Sequence, residues 1–79
     1  MSSEQETVEI HIGVLLTDRS TGRTGFVVND EGQSVQLRPP AGGEGWEASA
    51  DDLRPADARE RLHAKVAVVN ARARRRRVL

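Results

Sequence analysis

The chain has 79 residues, with 12 basic and 12 acidic side chains, no cysteine, one tryptophan and one phenylalanine. That length holds one domain, which buries only about 60% of the surface its unfolded chain exposes, and the lack of cysteine excludes a disulfide framework or a thiolate zinc site as a staple. The zero net charge hides a segregation: through Leu53 ten acids face Arg19, Arg23 and Arg38, whereas beyond it nine bases face only Asp57 and Glu60.

Residues 1–6 are polar and acidic, with nothing to bury, and are expected to fray. They lack the basic and apolar regions of a signal peptide, and no apolar run approaches the length of a membrane span, so a reducing, cytoplasmic setting is expected. From Val8 the apolar residues fall on every second position through Ile10, Ile12, Val14 and Leu16, a period of two that predicts a first strand. Gly13 interrupts that run and marks a bulge or bend of the kind that curls a small barrel.

Asp18 to Arg23 is rich in turn formers and predicts a hairpin loop. Thr24 to Asn29 reads as a second strand with Phe26 and Val28 on one face, followed by a turn over Asn29 to Gly32. Gln33 to Arg38 reads as a third strand, ended by Pro39-Pro40, because proline donates no NH to a ladder. After the Gly-rich stretch Ala41 to Gly45, Trp46 to Ala50 reads as a short fourth strand. Asp51 to Pro55 reads as a turn that dips Leu53 into the core.

Asp57 and Glu60 have the spacing of a capping box, which starts a helix near Ala58. Ala58, Leu62, Val66, Val69 and Ala73 recur at intervals of four and three, and this stripe is expected to pack on the sheet through Leu62, Val66 and Val69. Arg74 to Arg77 point all round a helical wheel and are expected to stand off the body. The expected fold is therefore mainly β: a small antiparallel SH3-like barrel of four to five strands over 7–55, then one amphipathic helix over 56–77.

The arginine tract Arg72, Arg74, Arg75, Arg76 and Arg77 is the leading candidate site, because clustered guanidiniums neutralise phosphates or acidic proteins. Against it stands the reading of a solvated helix end, where cations suit the dipole. Trp46 and Phe26 are too few for a base-stacking platform, and Trp46 is expected to be a core lid whose indole NH bonds a carbonyl. His11 and His63 are dispersed, and the pairs Asp30-Glu31 and Asp51-Asp52 sit in turns without the pattern of a calcium loop. The glycines around Thr21 to Gly25 and Gly42 to Gly45 lack the features of a phosphate or dinucleotide loop. No metal, cofactor, small-molecule substrate or catalytic residue is expected, and the chain is read as a non-enzyme.

Gly13-Val14-Leu15-Leu16, then Gly22 to Val27, then Gly32, Val35 and Leu37, resemble the KOW-type pattern of SH3-like barrels. That resemblance implies contacts through the loops, here Arg19, Arg23 and Asp30 to Gly32. Over nearly the whole chain the sequence is similar to a group of short streptomycete (actinobacterial) proteins without an established function. The shared elements are Asp18, Thr21 to Gly25, Val35 to Pro39, Gly42-Gly43 with Trp46, Arg54-Pro55, and Glu60-Arg61-Leu62 through Asn70-Ala71-Arg72. A likeness to the MbtH-like activators of adenylation domains fails, because the tryptophan-proline element is Leu37-Arg38 here and the helix between the Gly-Trp and Leu-Arg-Pro elements is missing.

Two functional expectations follow. The first is a regulatory or scaffolding interaction module that docks an acidic protein partner or self-associates. The second is a nonspecific nucleic-acid binder using the arginine tract.

Overall fold

The structure is a computed structural model that describes residues 8–76, with side chains through Arg74. Five strands form one antiparallel sheet: β1 (Leu15–Asp18), β2 (Arg23–Asp30), β3 (Ser34–Arg38), β4 (Trp46–Ser49) and β5 (Leu53–Pro55), followed by α1 (Ala58–Arg76). The order across the sheet is β4-β3-β2-β1-β5. This is the expected mainly β architecture with one C-terminal helix.

The connection between β4 and β5 shows that the sheet curls. In a flat sheet its two marginal strands would lie about 19 Å apart, four strand spacings. They are instead joined by one three-residue 3-10 turn, Ala50–Asp52, which spans only about 8 Å. Ser49 opens that turn by accepting from the Asp51 amide at 3.3 Å. The Arg19 amide donates to the Asp52 carbonyl at 2.8 Å and ties the turn to the β1–β2 hairpin.

The core consists of Leu16, Val27, Val35, Leu37, Ala48 and Leu53, with Val8, Ile10, Val14, Trp46 and Ala50 packed against it half-buried. Val35 and Leu37 alternate inward along β3 as their spacing predicts. Three expectations need correction. The first strand begins at Leu15, not Val8, because Gly13 at φ 94° turns the chain. Its amide meets the Val27 carbonyl, and the Val14 amide turns back to that of His11. Ile12 is left exposed.

In β2 the inward residue is Val27, while Phe26 is half-buried and Val28 exposed, and the pairing with β3 shifts between Val27 and Asn29. Gly25 sets that parity. A Cβ there would lie 2.7 Å from both the Arg38 carbonyl oxygen and the Trp46 ring, so the strand turns its glycine to the tryptophan. Finally, Leu53 to Pro55 is a fifth strand beside β1 instead of part of a turn, although Leu53 is buried as expected.

Candidate interaction surface

The helix starts where the sequence places it. The Glu60 amide donates to Asp57 Oδ1 at 2.8 Å and the Asp57 amide donates to Glu60 Oε1 at 2.9 Å, a complete capping box. Glu60 does more than cap. Arg54 on β5 grips it through two bonds, Nη1 to Oε1 at 2.9 Å and Nη2 to Oε2 at 2.7 Å, and Thr17 Oγ1 on β1 donates to Oε1 at 3.0 Å. The Arg54 hydrogen bonds are the main cause of a Glu60 carboxyl held down to about 2, with the Asp57 amide and Thr17 adding to them against a small penalty from burial. The next residue, Arg61, donates from Nη1 to the Ala56 carbonyl at 2.7 Å. The first turn of α1 is thus tied to β5 and to its neighbour β1.

A second polar cluster closes the hairpin end. Asp18 is buried on the core side of β1, where its carboxylate accepts from the Ser20 amide at 3.0 Å, Ser20 Oγ at 2.8 Å and Trp46 Nε1 at 3.0 Å. Burial pushes its carboxyl up, but the bonds from Ser20, Trp46 and Thr21 outweigh that and hold it below its ordinary value. Trp46 is the half-buried lid expected from the sequence, with a carboxylate where a carbonyl partner was expected. The guanidinium of Arg23 lies 3.9 Å from its ring centroid, a cation-π contact that engages this arginine within the molecule. Arg19, the other hairpin arginine, is exposed.

The helix faces are reversed relative to the sequence reading. Ala64 is buried, Ala67, Val68 and Ala71 are half-buried, and these small residues lie along Gly22, Thr24 and the Pro40 to Gly42 loop. Leu62, Val66 and Val69, expected to anchor the helix, are 59%, 49% and 56% exposed. At 3.6 residues per turn their stripe points about 180° away from the packed alanines. The signal for the correct face was in the sequence: Glu60, Ala64, Ala67 and Ala71 repeat as regularly as the larger residues and begin at the capping-box glutamate.

The outward stripe runs between cations. Lys65 and Arg72 flank one side, Arg74 with the imidazole of His63 the other, and Arg59 stands at its start, all exposed. Glu60 is the sole acid in α1, and Arg54 and Thr17 occupy it. Arg72 and Arg74 are exposed and make no ion pair with any described residue, and Arg72 lies beside the Pro40 to Gly42 loop. The helix continues to Arg76; Arg77, and the side chains of Arg75 and Arg76, lie outside the described residues.

The other candidate groups are dispersed. His11 lies 3.4 Å from Glu9 on an exposed segment, and His63 is on the helix flank. Asp30 accepts from the Gly32 amide at 2.9 Å within its turn. No three histidine, aspartate or glutamate side chains converge on a metal position among the described residues, and no described helix is long and apolar enough to cross a membrane. No family model, curated protein or solved structure matches the chain.

Proposed function

We propose that this chain is a non-enzymatic interaction module that binds an acidic protein partner along the outward face of α1, in a regulatory or scaffolding role. One observation carries the reading: the helix turns its larger apolar side chains away from its own sheet and sets them between exposed cations. Completely burying a leucine or valine is worth about 1.5–3 kcal/mol. A partner that covers Leu62, Val66 and Val69 therefore gains stabilisation this fold leaves unused. The polar groups that do converge, Asp18, Thr17, Glu60 and Arg54, are engaged with one another and with the backbone, which supports binding over catalysis. The cytoplasm is the proposed setting, in keeping with a cysteine-free chain.

Nucleic acid is the competing partner, reached through Arg72, Arg74 and the arginines beyond. Phosphates would use those cations but leave the apolar stripe wet. The test titrates the chain with two labelled probes, a leucine-containing polyglutamate peptide and a 20-base-pair duplex, at low and moderate salt. The proposal expects peptide binding that drops about tenfold or more in the Leu62→Ser/Val66→Ser variant. Duplex binding that is tighter, falls steeply with salt and ignores that substitution would transfer the role to nucleic acid.

A further inference from the structure

The outward stripe has the spacing of a coiled-coil seam. Leu62, Val66, Val69 and Ala73 follow intervals of four, three and four, which place Leu62 and Val69 at one seam position and Val66 and Ala73 at the other. Over its length of about 17 Å, three helical turns, the seam is straight, continuous and without an aromatic anchor. Such a row of short aliphatic side chains fits the knobs of another helix better than it fits an extended peptide or a lipid surface, which favours deeper, bulkier apolar groups.

Charge selects among helices. The positions beside the seam carry Lys65 and Arg72 on one side and His63 and Asn70 on the other. A second copy of α1, whether parallel or antiparallel, would set Lys65 and Arg72 opposite each other or opposite His63 and Asn70 and find no acid to pair with. Arg59 occupies the seam position one heptad before Val66 and is exposed. A charge at a seam position fixes register, because a slipped partner leaves it facing an apolar side chain.

Building on the reading above, we propose that the partner element is an amphipathic α-helix of about three turns, apolar along its seam and acidic on both flanks, which packs lengthwise on Leu62, Val66 and Val69. An acid of that helix meets Arg59 and sets its register. A second copy of this chain is not the occupant.

The test uses three synthetic peptides of 21 residues and identical composition, except that one carries a single proline. The first has leucine at both seam positions of each heptad and glutamate beside them, the second is a shuffled order without periodicity, and the third is the first with its central residue replaced by proline. Glutamates flanking the seam keep the first peptide from pairing with itself. We expect the heptad peptide to bind the full-length protein about tenfold or more tightly than the other two, and to gain helical circular dichroism on mixing. Leu62→Ser/Val66→Ser/Val69→Ser should erase that preference while leaving the melting temperature unchanged, and Arg59→Ser should weaken the heptad peptide alone.

Equal affinity for all three peptides overturns the helical occupant while leaving an acidic partner in place. Failure of all three to bind removes both. Sedimentation of the protein alone should give a monomer at low salt; a dimer dispersed by the triple substitution would put a second copy on the seam and overturn the assignment.

Discussion

Ala64, Ala67 and Ala71 line the side of α1 turned toward the sheet, and Leu62, Val66 and Val69 line the side turned to water. Side-chain size therefore runs opposite to packing. The packed side lies along Pro40, Gly42 and Gly22, and its small side chains reach little of that surface. An alanine adds little burial, about 0.8 kcal/mol for a single carbon, so attachment leans on the ties of Glu60 and Arg61 at the first turn. The outer side carries the larger residues and leaves them exposed. Periodicity alone finds both stripes; the ties of Glu60 to Arg54 and Thr17 decide which one is turned to the sheet.

Leucine replacement breaks the comparison most directly. Leu37 is completely buried in the core, so Leu37→Ala should destabilise the fold by about 2–5 kcal/mol, measured by urea unfolding. Leu62→Ala, the same change on the outer helix face, should be nearly silent. Comparable losses at the two positions would mean that Leu62 is covered in the free protein.

Gly25→Ala is next. Its new methyl group must displace a backbone carbonyl and the Trp46 ring, an overpacking expected to cost about 1–3 kcal/mol, with a blue or red shift in tryptophan emission as the ring moves.

Glu60→Gln weakens the helix's mooring by about 1–2 kcal/mol, the range of a lost cap, and carries a pH signature. In the folded chain Glu60 stays ionised down to about 2, whereas its ordinary value is 4.5. Its contribution is therefore complete above about pH 4.5 and is lost as pH falls toward 2, because the unfolded chain takes up the proton first. Asp18, also held low, loses its contribution below its ordinary value of 3.8, so Glu60→Gln should flatten the acid limb in part, leaving the Asp18 share. An unchanged acid limb would dissolve the link between Glu60 and helix docking. Smallest of all, Val66→Ser or Val69→Ser should shift stability by no more than about 0.5 kcal/mol, as for other exposed positions.

Much of the sheet was legible because two strong signals agree. Val35 and Leu37 alternate against polar neighbours and stop at Pro39-Pro40, and the structure keeps that face. The Asp57-Glu60 cap was equally legible, since it depends only on local geometry. The failures are tertiary. Val8, Ile10 and Ile12 alternate well, but Gly13 bends them out of the ladder, and only the partner strand shows where pairing starts. Phe26 and Val28 looked like the inner face of β2 because the space beside Gly25 is filled by a tryptophan twenty-one positions later. The outer stripe is as regular as the inner one and larger, so size favours it, whereas the inner repeat of Glu60, Ala64, Ala67 and Ala71 is marked only by its start at the capping box.

Among the described residues the polar ties between α1 and the body lie within its first turn, while the helix is nineteen residues long in all. Local opening will therefore spread from the far end, and amide protection should decline along α1 from Glu60 toward Arg76. The distal half can yield and re-form while the mooring holds, which gives the exposed seam freedom to adjust to what it meets at little cost to the sheet.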